Sequence, residues 1–342
     1  MRTRYSEIST YLKCQQLRDY VYVQGLRPKR GNGLPRMDLG TLVHKGFEHV
    51  FKDKLTVAAA KIAVEKHAYA TLTAIRDQLA ADPMKAPVDD VAAFLAEYEA
   101  IVENAPLIFE RSAFALPVDD WEPVLVEHTL EQEIAPGIVL TGTPDLVARR
   151  KSDGGLYLLD WKTRSTFQDI GAERYNLQFL IYTWMLGKAG HQVQGSQIYE
   201  IISDVPKEPK LNKDGCVSKS KVRTTLAMLE RAIEDSGSLA HEYEDLIKYV
   251  KGIEWQRLTF DFRDAATIER TIQEVVVPAA LAMAEGRKPL RVANRFTCGS
   301  CDFAKLCFGA LEGDDTSFIR SESYVNSDGS VIPLFVEEEV AA

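Results

Sequence analysis

Gly142-Thr143-Pro144-Asp145-Leu146-Val147-Ala148, the turn Ser152-Asp153-Gly154-Gly155, and Leu156-Tyr157-Leu158-Leu159-Asp160-Trp161-Lys162 together decide how this chain is read. Two apolar runs flank a turn rich in Ser, Asp and Gly, the pattern of a pair of strands joined by a hairpin. Successive side chains of a strand point to opposite faces, so Asp160 and Lys162 share one face and Trp161 takes the other. Asp145 reaches the Asp160 face from the neighbouring strand. A charged Asp-x-Lys directly after four apolar residues is costly inside a sheet without a partner, which favours a site over a solvated edge. Two carboxylates close together offer hard oxygen ligands to Mg²⁺ or Mn²⁺. A lysine beside them is placed to orient a water and to stabilise charge growing on a phosphate.

Two further signals lie downstream. Residues 172–189 have helical character, with Gln178 and Tyr182 spaced i, i+4 on one face. Both side chains can hydrogen-bond to a phosphate or a base, and a tyrosine can also stack on a base. The chain carries five cysteines, three of them in Cys298-Gly-Ser-Cys301-Asp-Phe-Ala-Lys-Leu-Cys307. A Cys-x2-Cys pair grips one metal or cluster, and Cys307 adds a third thiolate. Cys14 is the better candidate for a fourth than Cys216, which follows the loop-like Asn212-Lys213-Asp214-Gly215. An iron–sulfur cluster and zinc are both compatible with four thiolates. Disulfides explain the set poorly, since five cysteines do not pair and nothing at the N-terminus reads as a secretory signal.

In order along the chain, these residues resemble the RecB-like branch of the PD-(D/E)XK nucleases. Within that branch they are most similar to the iron–sulfur members: the CRISPR-associated adaptation nuclease, the AddB subunit of recombination nucleases, and phage exonucleases. Ser6-Glu7-Ile8-Ser9-Thr10-Tyr11-Leu12-Lys13-Cys14 looks like the opening helix with its cluster cysteine, and Leu39-Gly40-Thr41-Leu42-Val43-His44 like the helix that delivers a histidine. Gly142-Thr143-Pro144-Asp145, Asp160-Trp161-Lys162, Gln178-x3-Tyr182 and the Cys298/Cys301/Cys307 segment follow in the family's order.

The resemblance implies an α/β fold: a small mixed central sheet flanked by helices, a restriction-endonuclease-like core, with helical insertions and a cysteine-bound cluster joining the N- and C-terminal segments. It implies that His44, Asp145, Asp160 and the backbone carbonyl of Trp161 bind Mg²⁺ or Mn²⁺. Lys162 would position the attacking water, and Gln178 and Tyr182 would steady the lysine or the DNA backbone. Cys14, Cys298, Cys301 and Cys307 would hold a [4Fe–4S] cluster. The second carboxylate is Asp160 rather than the more frequent Glu, a variation the family tolerates. Glu127 and Glu131, on the preceding strand-like stretch, are read as solvated and left out of the site. The implied partners are DNA, as single strands or ends, and a recombination or helicase protein.

The expectation is therefore a metal-dependent deoxyribonuclease, chiefly an exonuclease. The alternative is a non-catalytic DNA-end-binding or scaffold subunit, against which the Asp145/Asp160/Lys162 trio argues.

Composition sets the remaining bounds. The 342 residues are 46% hydrophobic and 27% charged, which excludes a disordered chain. The apolar run Val275 to Ala284, broken by Pro278, is far short of a bilayer span, so a cytoplasmic protein without membrane partners is expected. A net charge of −9 is unfavourable for binding DNA unless positive charge is concentrated locally. Two segments concentrate it: Lys207, Lys210, Lys213, Lys219, Lys221 and Arg223, and the run Arg27-Pro28-Lys29-Arg30. One nuclease domain is expected over residues 1–310, with helical insertions at about 55–103 and 224–285. Residues 311–342 read as an acidic tail ending in a hairpin around Asn326-Ser327-Asp328-Gly329, and Pro278 is expected to kink the last long helix.

Overall fold

The computed structural model describes residues 1–29, 38–81, 91–169 and 176–328. A short strand β1 (Arg2–Arg4) leads into α1 (Tyr5–Lys13) and α2 (Gln15–Arg18), separated at Cys14, whose extended backbone (φ −165°, ψ 118°) interrupts the helix. After β2 (Leu26–Pro28) comes α3 (Leu39–Phe51), capped by the Asp38 carboxylate, which accepts from the Gly40 N–H at 2.7 Å. Helices α4 (Val57–Ala81) and α5 (Val91–Ala115) pack on each other and on α3 as the first insertion. Strands β3 (Trp121–Val126), β4 (Leu130–Ala135), β5 (Ile138–Gly142), β6 (Leu146–Arg150) and β7 (Leu156–Arg164) precede α6 (Leu177–Lys188), which Asn176 caps, and β8 (Gly195–Ile202).

The central sheet has the strand order β3-β6-β7-β8-β9, with β9 at Gln256–Asp261. Strands β6 and β7 form the antiparallel hairpin expected from the sequence. Strand β8 lies parallel to β7, and a parallel neighbour requires a crossover, which α6 supplies. All eight residues of β8 are buried, as befits a strand covered on both faces. A second sheet, β1-β5-β4, pairs the N-terminal strand in parallel with β5. The fold is thus α/β with a mixed sheet between helical layers.

Alternation along β7 assigns the layers. Leu156 and Leu158 pack with Phe179, Ile181 and Met185 of α6, while Tyr157, Leu159 and Trp161 pack with Val43 and Phe47 of α3 and Phe109 of α5. The Trp161 ring stacks on Phe47 with centroids 4.2 Å apart, fixing α3 against β7. Gly46 lets α5 come this close: a Cβ there would stand 2.3 Å from the Phe109 ring.

The helical insertion expected at about 224–285 is not all helix: α7 (Leu226–Asp235) and α8 (Glu244–Lys251) are followed by the strand β9. As an edge strand, β9 leaves Leu258 and Phe260 half in solvent, so its pattern is weak. The last long helix changes its winding just before Pro278. It runs as α9 (Ala265–Thr271), a π turn (Ile272–Val276) and α10 (Val277–Ala284). The proline sits in the first turn of α10, where a missing N–H costs little, and the wider turn before it absorbs the misfit. Finally, after the one-turn α11 (Arg295–Cys298), helix α12 (Ala304–Glu312) crosses the expected start of the tail, and α13 (Ser317–Ser323) leads into β10 (Tyr324–Asn326). Strand β10 pairs antiparallel with β2, while the expected hairpin turn reaches Gly329, outside the described residues. Among the described residues no helix is long and apolar enough to cross a membrane.

Candidate active site

Strand β7 carries Asp160 and Lys162 to the end of the sheet on the α6 side. Asp160 is fully buried, and its Oδ2 lies 2.6 Å from the Lys162 Nζ. Gln178, in the first turn of α6, closes a triangle: Lys162 Nζ donates to its Oε1 at 3.2 Å, and its Nε2 donates to Asp160 Oδ1 at 3.2 Å. Tyr182 lies one turn later on the same helix and is buried. Asp160, Lys162 and Gln178 form one bonded triangle, in which Gln178 fixes the other two side chains.

Asp145 comes from the bend before β6. Its Oδ2 accepts from the Trp161 N–H at 2.9 Å, which ties it to the catalytic strand. From the opposite layer α3 brings in His44, whose Nδ1 is 3.4 Å from the same Oδ2. The Trp161 backbone, held through its N–H by Asp145, lines the same cleft as His44. Glu127 completes the constellation. Ligand atoms of His44, Glu127 and Asp145 all lie within 4.8 Å of one another. Asp160 is outside this group of three, held instead against Lys162. An open cleft of about 650 Å³ leads to these groups, lined by His44, Lys45, Glu48, Glu127, Asp145 and Lys162 among others.

The inclusion of Glu127 corrects its dismissal as a solvated strand residue, whereas Glu131 does lie away, paired with Arg2 at the surface. Glu127 stands just past the end of β3 with φ +46°, an uncommon left-handed backbone for a non-glycine residue. Its N–H donates to the Asp145 carbonyl at 3.1 Å, which anchors it beside the site. That backbone reversal is what aims it at the cleft, and strand alternation does not report it.

The electrostatics follow from crowding anions out of water. Burial, with repulsion from Asp145 and Glu48, pushes the Glu127 carboxyl up to about 7 despite Lys45 and Lys52. Burial likewise raises Asp145 to about 6, opposed by the Trp161 N–H and Lys162. Asp160 is pushed up to about 6 by burial and by Asp145, against the pull of Lys162. Burial lowers Lys162, but Asp160 and Asp145 outweigh it and hold the ammonium above its ordinary value. Burial lowers His44, which leaves a neutral imidazole with a lone pair for a metal. The carboxylates of Glu127 and Asp145 and the imidazole of His44 are donors of the kind that could hold a divalent cation.

The profile of the PD-(D/E)XK nuclease superfamily matches residues 4–308. The chain belongs to the PD-(D/E)XK nuclease superfamily. Among curated proteins none matches it. Asp145, in the bend before β6, and Asp160-x-Lys162 on β7 belong to the two arms of one hairpin. The PD-(D/E)XK core here is reinforced by a buried carboxylate that sequence reading passed over. Glu200 on β8, in register with Lys162, is fully buried. It accepts from the Arg257 Nε at 2.9 Å and the Gln168 N–H at 3.0 Å, with the Arg164 Nε at 3.4 Å. This network pins the segment that follows the catalytic strand on its way to α6. A glutamate inside the otherwise apolar run of β8 was the signal that a buried partner existed.

The cysteines converge at the other end of the fold. Cys14, Cys298, Cys301 and Cys307 line one pocket with Tyr20, Arg291 and Phe303. Burial raises the Cys301 thiol, and the other three cysteines raise it further. Cys216 lies elsewhere, in the hairpin between β8 and β9.

Proposed function

We propose that this nuclease is a metal-dependent DNA exonuclease of the iron–sulfur RecB-like type, acting on single strands or DNA ends. The observation that carries the reading is the bonded triangle of Asp160, Lys162 and Gln178 set beside the His44, Glu127 and Asp145 group. A scaffold subunit has no use for a fully buried carboxylate held against a lysine. The donors fit a hard divalent ion: carboxylate oxygens, one neutral imidazole and the Trp161 carbonyl, with His44, Glu127, Asp145 and Asp160 as the side chains to hold it. Such an ion supplies Lewis-acid polarisation of the scissile phosphate and acidifies a water.

The rest of the chemistry belongs to the chain. The Lys162 ammonium, kept cationic by Asp160, faces the growing negative charge of the phosphate. Gln178, bonded to both partners, fixes the orientation of the Asp160–Lys162 pair. The reacting groups are recessed, with Asp160 at 0% exposure, so a strand must be led in to reach them. That supports a requirement for a free end.

We also propose the cysteine pocket as a [4Fe–4S] site that joins the two ends of the chain. Four thiols with no other ligating role surround one pocket, and the resemblance to the iron–sulfur branch favours a cluster over zinc, which the same four thiolates would also hold. Closing a loop of this length restricts the unfolded chain and stabilises the fold. Unpaired thiols suit a reducing compartment such as the cytoplasm. A recombination or helicase protein remains the partner class that the family branch suggests.

The test is digestion of end-labelled linear and circular single-stranded DNA with Mg²⁺, Mn²⁺ or EDTA. Metal-dependent loss of the linear substrate with the circle spared supports the proposal. Equal rates on both identify an endonuclease.

A further inference from the structure

Between β8 and β9 the chain leaves the sheet and builds a small unit with its own core of Val217, Leu229, Ile233, Tyr243, Leu246 and Val250. Its leading part is a hairpin, closed by the Leu211–Val217 bridge and by the Lys207 N–H donating to the Arg223 carbonyl at 2.9 Å. From Lys207 to Arg223 there are six basic and two acidic residues, a local charge of +4 in a chain of net −9. Lys207, Lys210, Lys213, Lys219 and Lys221 are all exposed, and among the described residues none is in an ion pair. The Lys219 and Lys221 ammoniums sit over the rings of Tyr243 and Tyr249 at 5.5 and 5.2 Å, so the stems are ordered without the charges being cancelled.

The position of this arm matters as much as its charge. Strand β8 is parallel to β7 and in register with it, Lys162 opposite Glu200 and Arg164 opposite Ile202. The arm therefore leaves the sheet at the same edge that presents Lys162. Its root is stapled to the catalytic strand's exit: Arg223 pairs with Asp204 at 2.8 Å and donates to the Ser165 carbonyl at 3.4 Å. The other basic run offers less, since Arg27 is committed to the Val21 and Leu26 carbonyls and Arg30 lies outside the described residues.

We infer that the β8–β9 arm is the surface that holds the substrate's phosphodiester backbone and leads the strand to Lys162. The inference rests on the proposed nuclease reading and names where that substrate binds. Lysines act on phosphates as point charges and carry no base preference, so the arm supplies affinity and register, not sequence choice. On an otherwise acidic protein it also fixes the side from which DNA approaches.

The test measures binding of a fluorescein-labelled single-stranded oligonucleotide in EDTA, so that cleavage does not interfere, across a range of salt concentrations. Two folded variants are compared with wild type. One changes Lys207, Lys210, Lys213, Lys219 and Lys221 to Gln, and the other changes Lys13, Lys66, Lys188, Lys288 and Lys305 to Gln. Each phosphate contact contributes about 0.7 to the slope of log affinity against log salt, so the arm variant should lose up to about 3.5 of that slope. The second variant should lose almost none. Equal losses, an unchanged slope in the arm variant, or no DNA binding by wild type overturns the inference. Metal-free binding that depends on the arm, together with no cleavage in Mg²⁺ or Mn²⁺, would keep the arm and reject the nuclease proposal.

Discussion

Glu127→Gln should make the metal-free protein more stable and the metal-loaded protein weaker, a sign reversal that few surface changes produce. In the folded protein the Glu127 carboxyl is pushed from 4.5 up to about 7 by burial, Asp145 and Glu48. Because the folded value is raised, the native state binds the proton more tightly than the unfolded chain. The wild type therefore loses stability as pH rises from about 4.5 to about 7, with the full loss present above that window. A shift of this size corresponds to about 3 kcal/mol at 1.36 kcal/mol per unit. Solvent at the open cleft screens it to about 1–2 kcal/mol. In EDTA at pH 8 the variant should then melt about 1–3 °C above wild type, with the difference gone near pH 4.5.

Mn²⁺ should invert the order. Wild type gains a carboxylate ligand once the ion screens the repulsion, whereas the amide is a weaker donor, and a loss of about 10–100-fold in Mn²⁺ affinity is expected. Thermal melts at pH 4.5 and pH 8, each with EDTA and with Mn²⁺, supply all four readings. A variant no more stable than wild type at pH 8 in EDTA, with unchanged Mn²⁺ affinity, would refute the placement of Glu127 at the site.

Three further outcomes follow from the packing. Gln178→Ala removes the amide that orients both Lys162 and Asp160 and should cut turnover about 10–100-fold with little change in DNA affinity, read from single-turnover cleavage and binding in EDTA. Gly46→Ala forces a Cβ into the fully buried Phe109 ring and should cost about 1–3 kcal/mol in a denaturant melt, more than the helix-propensity gain of about 1 kcal/mol. Cys14→Ser should lower iron and sulfide content and melting temperature, while Cys216→Ser should change neither; stoichiometric zinc without iron in the wild type would replace the cluster by a zinc staple.

How much of this was legible in the sequence depends on what carries each residue. Asp160, Lys162 and Trp161 were readable because strand alternation decides their faces, and β7 obeys it. Gln178 and Tyr182 were readable because helical spacing does the same for α6. Glu127 was not, because its face is set by a left-handed residue beyond the end of β3, where no periodicity applies. Glu200 was hidden in plain view: its three ties, to Arg257, Arg164 and Gln168, come from segments far apart in sequence. Strand β9 was lost between helices because an edge strand buries too little to imprint a clear pattern. The cysteine spacing grouped Cys298, Cys301 and Cys307, but that Cys14 lines the same pocket came only from the fold.

The most direct test of the account is single-turnover cleavage of a 5′-labelled DNA strand by wild type, Asp160→Ala and Lys162→Ala, each verified as folded. With Mn²⁺ the wild type should degrade the strand and EDTA should stop it, while each variant should fall by at least about a hundredfold. Full cleavage by a folded Asp160→Ala protein, or cleavage by wild type that persists in EDTA, would contradict the account.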